Sequence, residues 1–326
     1  MHLELIPAQA ILEQELPAAQ TIYQLGLSNR LQLRQLANIT VQSTIKRYQK
    51  AITKIQKKIL AIGNSTEARV GRLSGLLAEL EKEIAILNEG IIRDVGMATD
   101  RALRESVRQA AQNASPFAKA IQGPLVGNSP TSMQGQFNVL VNQVEKAFRT
   151  VPKGIQLSDR IWNIHSTNLS AMRNLMVNGY LEGITSNELA RQVRGFLQLP
   201  NVDMRRNVWK QFFRDNPPGR GRYKSAAKNT ERIIRTEVNR AYRLATVAYA
   251  ESKEWIKGVK WNLVPEHECC DICNKLATQD NGMGPGVYLP AEAPDTPHPQ
   301  CLCFFTDEIN DEFLGEPEPE SEPSSI

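Results

Sequence analysis

Two consecutive runs of apolar residues at heptad spacing constrain this chain more than any other feature. Ile45, Tyr48, Ile52, Ile55, Ile59 and Ile62 are separated by 3, 4, 3, 4 and 3 positions; Leu73, Leu77, Leu80, Ile84, Leu87 and Ile91 by 4, 3, 4, 3 and 4. An α-helix returns to one face every three to four residues, so each run is an apolar stripe that needs a partner. Between the runs, Gly63-Asn64-Ser65 stops the first helix, and Ser65 or Thr66 caps the second. The pattern predicts a long antiparallel helical hairpin over residues 30–113. Its second arm continues past Leu103 and Val107 to Gln112, roughly 45 residues or about 70 Å of helix.

The two arms differ in charge. No acid occurs between Glu15 and Glu67, a span that holds Arg30, Arg34, Lys46, Arg47, Lys50, Lys54, Lys57 and Lys58. The second arm carries Glu79, Glu81, Glu83, Glu89 and Asp94. Opposite charges flanking the seam would set the antiparallel pairing. The sharper alternative is that the Lys50, Lys54 and Lys57 face meets phosphate.

Residues 1–29 read as short helical pieces broken at Pro7, Pro17 and Gly26. Ser115-Pro116, Gly123-Pro124 and Gly127-Asn128-Ser129-Pro130 mark a boundary. A helical middle region, 114–225, follows, with the stripe Phe137, Val141, Val144 and Phe148. A helix from about Ser158 contains Ile161, Ile164, Leu169, Met172, Leu175 and Met176, with His165 alone among them as a structural or surface histidine. Thr185 or Ser186 is a natural N-cap, with Glu188 placed for a capping box. The stretch around Asn216-Pro217-Pro218-Gly219-Arg220-Gly221-Arg222-Tyr223-Lys224 is a loop; Arg220, Arg222 and Lys224 are candidate phosphate contacts, and an exposed interdomain loop is the plainer reading. A helix from Thr230 to about Ser252 buries Ile234, Val238, Ala241, Ala245 and Ala248, and Val259–Val264 alternates as a strand.

Charge divides the chain a second time. From Asp307 to Ile326 there are eight acids and no base, so residues 1–306 hold all 39 bases against 27 of the 35 acids, a net of +12. The tail 307–326, with its repeated Glu-Pro, has no means of forming a core and is expected to be disordered. A basic body suits a polyanionic partner, genomic DNA included. The N-terminus has no signal-peptide pattern, and no apolar run approaches the ~20 residues needed to span a bilayer. We expect no membrane association and synthesis in a reducing cytoplasm, where clustered cysteines favour metal over disulfide.

All five cysteines lie within 35 residues, Cys269 to Cys303. Cys270-Asp271-Ile272-Cys273 presents two thiols from one tight turn; His298, Cys301 and Cys303 follow within six residues of each other. Zinc takes four thiolate or imidazole ligands in a closed structural site. The best set is Cys270, Cys273, His298 and Cys301, with Cys303 able to replace one member, Cys269 spare and His267 a weaker candidate. The 24 intervening residues make short strands and turns but little core, so a cross-link there matters. A disulfide is the main competitor. A third reading, a Cys270 or Cys301 nucleophile with His298 as base, lacks an orienting acid and a recognisable oxyanion motif.

The segment Ile233-Ile234-Arg235-Thr236-Glu237-Val238-Asn239-Arg240-Ala241-Tyr242, then Val259-Lys260-Trp261, then the C-x-x-C, then His298-Pro299-Gln300-Cys301-Leu302-Cys303, resembles the phage head morphogenesis family, minor head proteins of the Mu F type. The resemblance covers roughly residues 160–305. Departures are Leu302, where the family often has Arg, and Ala277-Thr278, where it tends to have Gly. The resemblance implies a tailed-phage minor capsid protein in the virion, associated with the portal and with capsid or scaffold proteins, assisting head assembly and DNA packaging or delivery. It is not an enzyme on this reading; a peptidase or toxin-like enzyme using the cluster is the alternative. The expected architecture is mainly α: the hairpin, a helical middle region, and a small α+β Cys/His-clasped module at 226–306 with a structural zinc.

Overall fold

The computed structural model describes residues 18–61, 66–122, 138–144, 146, several positions between 166 and 179, 184–197, 226–265, 270–310 and 312. The elements are α1 (Ala18–Ala61), α2 (Thr66–Gln122), α3 (Ser186–Leu197), α4 (Ala226–Glu251), β1 (Ile256–Asn262), α5 (Asp271–Thr278), β2 (Val287–Tyr288) and β3 (Phe304–Ile309). A 3₁₀ turn occupies Pro290–Glu292. The protein is mostly helical, with one small antiparallel sheet near its C-terminus.

Helices α1 and α2 pack on each other through the two apolar stripes. Tyr48, Ile52, Ile55 and Ile59 face Leu80, Ile84, Leu87 and Ile91, all fully or nearly fully buried. The charges beside the seam are paired across it. Arg47 grips Asp94 with two bonds, Nε to Oδ2 at 2.6 Å and Nη2 to Oδ1 at 2.8 Å. Lys54 reaches Glu83 at 3.1 Å, and Lys58 bridges Glu79 and Glu83. Gly90 makes room for the first of these pairs, since a Cβ there would lie 2.7 Å from Arg47 Nη1.

Helix α1 begins earlier than the breaker residues suggest. It is continuous from Ala18 through Gly26, where broken pieces were expected. A Cβ at Gly26 would sit 2.8 Å from Thr306 and 3.0 Å from Phe304, so this glycine is a close-packing point between α1 and β3, not a stop. That contact outweighs the ~1 kcal/mol a helical glycine costs. Likewise α2 runs through Ser115-Pro116 to Gln122, past the expected boundary. Helix α3 starts as its sequence predicts, the Thr185 hydroxyl accepting the Glu188 N–H at 3.2 Å. Of the middle-region stripes, Val141, Val144, Met172 and Met176 are buried. The tail expected to be disordered from 307 instead begins inside the sheet, since Asp307, Glu308 and Ile309 pair with β1. Phe137, Phe148, Ile161, Ile164, His165 and Leu175 lie outside the described residues, as do 62–65, 1–17, 311 and 313–326.

The sheet order is β2-β1-β3, all antiparallel. Strand β1 begins at Ile256, three residues before the expected start, and pairs Trp261 with Phe305 and Val259 with Tyr288. Gly258 lets β2 come close, as a Cβ there would lie 2.8 Å from Tyr288 O. Helix α4 covers the sheet with small residues, Ala241 and Ala245 having no exposure, and packs on its other sides against α1 and α2. Tyr48 Oη and Thr230 Oγ1, 3.0 Å apart, join α1 to α4 inside the core. One contiguous core runs from Leu27 to Ile309.

Between α1, α2, α4 and β3 lies a cavity of about 40 Å³, lined in part by Leu25, Ser106, Tyr242, Trp255, Phe305 and Asp307. Trp255 Nε1 and Asp307 Oδ1 are buried at its wall without a protein hydrogen-bond partner. Burial alone pushes the Asp307 carboxyl up to about 7.

Candidate metal centre

Helix α5 places the first pair of donors. Cys270 is its N-cap residue and Cys273 lies in its first turn, so the C-x-x-C opens a helix where a bare turn was expected. Residues three apart share a helix face, and unpaired N–H groups and the helix dipole favour thiolate at that end. The second half comes from the loop entering β3. Gln300 adopts φ 60°, a left-handed conformation unusual for a side chain other than glycine. It turns the chain so that Cys301 and Cys303 point inward, each 2% exposed.

One face of α4 holds that loop. Gln300 N donates to Thr236 Oγ1 at 3.0 Å, and Asn239 Nδ2 donates to Cys301 O. Arg240 Nε bonds Asp295 Oδ2 at 2.8 Å. Arg243 donates to Asp295 O at 2.6 Å and to Cys303 O at 3.4 Å. Thr236, Asn239, Arg240 and Arg243 are spaced 3, 1 and 3, the spacing of one helical stripe. A fifth residue contributes from the hairpin, Arg30 Nε donating to Leu302 O at 3.0 Å. The motif residues of α4 are therefore largely backbone clamps for the cysteine loop.

The donors converge. Cys273 Sγ lies 3.0 Å from His298 Nε2 and 3.6 Å from Cys301 Sγ. Cys270, Cys273 and His298 form one group with all donor atoms within 4.8 Å, and Cys273, Cys301 and Cys303 form another. Cys273 belongs to both. His298 Nδ1 sits 3.0 Å from Pro299 O; with its proton donated there, Nε2 offers a lone pair toward the sulfurs. The four described cysteines are free thiols.

The electrostatics favour a thiolate. A hydrogen bond from the Cys303 thiol, and then the charge of Arg243, bring Cys301 down to about 5 against the pull of burial. Burial and the neighbouring Cys301 push Cys273 up. The hydrogen bond to Cys301, followed by burial, pushes Cys303 up. Among Cys273, Cys301 and Cys303, Cys301 is thus the sulfur most favoured as thiolate. Burial lowers Arg243 and brings Arg30 down to about 10, which leaves Arg30 charged at neutral pH.

These residues can hold a metal ion. Two sulfurs about 2.3 Å from a tetrahedral zinc stand about 3.8 Å apart, close to the Cys273–Cys301 separation. Sulfur and imidazole donors in a buried site match zinc-type chemistry, and the ring orientation of His298 is fixed by its second nitrogen. All of Cys270, Cys273, His298, Cys301 and Cys303 come together here; Cys269 and His267 lie outside the described residues.

The candidate phosphate contacts are distributed differently. Lys50 and Lys57 are exposed on α1, whereas Lys54 is engaged by Glu83. Arg220, Arg222 and Lys224 lie outside the described residues. Among the described residues no helix is long and apolar enough to cross a membrane. The spacing of Thr236, Asn239, Arg240 and Arg243 was a readable signal for a loop-binding face, and the burial of two arginines on it was not. Comparison with known proteins gives no match to any family model, curated protein or solved structure.

Proposed function

We propose that this chain is a minor head protein of a tailed phage, a structural component of the virion that associates with the portal and carries a zinc-clasped C-terminal module. The observation that carries the reading is the interlock between the segments of the resemblance. The Arg235-Thr236-Glu237 helix and the His298-Pro299-Gln300-Cys301 loop, some 60 residues apart, bind each other through Thr236 and Asn239. The clasp is zinc held by Cys270, Cys273, His298 and Cys301, with Cys303 as the replacement ligand, and its role is to hold α5 to the strand β3. An enzymatic role for the cluster has less support, because Cys301, one of its two candidate nucleophiles, is buried at 2% exposure and the other, the half-buried Cys270, shares its space with Cys273 and His298. The long charged hairpin offers a surface for a portal ring or for capsid and scaffold proteins, and exposed Lys50 and Lys57 suit DNA phosphates.

Two experiments test this reading. Co-purification with a portal ring, by size exclusion at micromolar concentration, is the expected result for the partner; no association would refute it. Metal analysis should give one zinc per chain, lost in Cys273→Ser together with protection of residues 270–310. A metal-free wild type with the same fold would refute the clasp.

A further inference from the structure

Arg30 and Arg243 are buried cations with 4% and 1% exposure. They come from opposite ends of the sequence and meet beside the cysteine loop, each near the charge of the other. Their hydrogen bonds in the described structure go to main-chain oxygens, Leu302 O from Arg30 and Asp295 O and Cys303 O from Arg243. Arg30 Nη1 and Arg243 Nη2 have no partner. No carboxylate lies within ion-pair distance of either among the described residues; the nearby Asp295 carboxylate is bound by Arg240. Two adjacent buried guanidinium groups whose one nearby carboxylate is already held by Arg240 are strongly unfavourable. The charges that reach Arg243 are those of Cys301, then the Asp295 carboxylate, then Cys303 and Cys273; Arg30 is near Tyr242, Arg34 and Cys301.

A divalent ion with three thiolates and a neutral imidazole carries a net charge of −1, and with four thiolates −2. We propose that the metal-loaded cluster is the missing counter-anion of Arg30 and Arg243, and that metal loading therefore latches the N-terminal half of the hairpin helix α1 onto the C-terminal module. This rests on the cluster being a metal site. It goes further by making the hairpin, 240 residues away from the first ligand in sequence, dependent on the ion. Arg30 acts as a positioning residue: its fork ties α1 to Leu302 O, between two cysteines, while its charge faces the sulfurs.

The experiment compares wild type, Arg30→Met and, as a charge-matched control, the exposed Arg101→Met, each as full-length protein with zinc and after chelation. Zinc affinity is read by competition with a chromophoric chelator, thermal midpoints by circular dichroism, and α1 docking by hydrogen exchange over residues 21–36. Arg30→Met is expected to bind zinc about 10- to 100-fold more weakly, the range for residues that support metal ligands. Its metal-free form should melt no lower than metal-free wild type, because a neutral side chain replaces an unpaired buried charge. Wild type should lose exchange protection at residues 21–36 on chelation; Arg101→Met should behave as wild type. Unchanged zinc affinity in Arg30→Met, or protection of residues 21–36 that ignores chelation in wild type, overturns the latch while leaving the metal site standing. If Arg30→Met does not fold, the wild-type exchange experiment decides alone. Wild type that binds no zinc at any concentration overturns the metal site itself.

Discussion

Asp307 gives the most quantitative handle on this fold. The residue is half-buried beside α1, α4 and the sheet, but its Oδ1 is buried and unpartnered, and burial raises the carboxyl from an ordinary value to about 7. An acid whose folded pKa is raised binds its proton more tightly when folded, so the folded state is favoured at low pH. The relative stability falls as pH climbs from the unfolded value, about 3.9, through 7, and levels off above it. Three pH units correspond to a ceiling of about 4 kcal/mol at 1.36 kcal/mol per unit. A cavity of about 40 Å³ has room for a water, which reduces the real cost. Asp307→Asn keeps the shape and removes the ionisation. The variant should therefore gain on wild type as pH rises, by up to about 2–3 kcal/mol between pH 5 and pH 8. In a chain this size that is several degrees of melting temperature, at about 2–4 °C per kcal/mol. The assay is thermal unfolding of both proteins at pH 5, 6, 7 and 8 in one ionic strength. The other ionisable groups are common to both proteins, so only the difference matters. A difference that is flat with pH, or that shrinks toward pH 8, would refute the reasoning.

Tyr48→Phe removes the Tyr48–Thr230 contact between α1 and α4 but leaves Thr230 bonded to Ala226 O, so we expect a loss of only about 1 kcal/mol in denaturant unfolding. Gly26→Leu drives a side chain into Phe304 and Thr306; hydrogen exchange should show α1 and β3 separating, with the hairpin seam from Tyr48 to Ile59 still protected. Thr236→Val preserves shape but removes the Thr236 acceptor from the Gln300 N–H, costing about 0.5–1.5 kcal/mol and weakening zinc binding in chelator competition.

What the residues disclosed in advance was what periodicity and spacing encode. The stripes at Tyr48–Ile59 and Leu80–Ile91 predicted the hairpin because a helix must hide such a face, and Lys54–Glu83 shows charge placed beside the seam. Thr185 announced its helix because a hydroxyl at that position satisfies a free N–H. The five Cys/His donors were legible because few other tasks gather those side chains. Gly26 misled because a breaker is judged by its neighbours in sequence, whereas Gly26 answers to Phe304 and Thr306, about 280 residues later. Arg30 was hidden similarly. In sequence it is one base in a run of eight, and nothing local marks it as buried against Leu302.

That long-range dependence bears on whether the C-terminal module, 226–306, is a domain in its own right. Its sequence pattern is self-contained: a helix, a strand and a Cys/His pair of half-sites. Its packing is not. Helix α4 packs against α1 and α2, and its fully buried Ile234 and Val238 belong to the same core as Tyr48 and Ile91. On the sheet side Phe304 meets Tyr23 at 5.6 Å between ring centres and closes over Gly26. Cutting at 226 would expose these groups at about 1.5–3 kcal/mol for each large apolar side chain, several times over. It would also strip the Leu302 carbonyl of its Arg30 donor. Zinc binding, on the order of 10–16 kcal/mol in small structural sites, would have to offset all of these losses as well as order the segment's chain. Residues 226–312 expressed alone with zinc should therefore show no cooperative thermal transition and should bind a hydrophobic dye, whereas the same segment covalently linked behind residues 18–122 should recover a transition. A sharp, zinc-dependent melt of the isolated segment would mean that the metal, and not the hairpin, carries its stability.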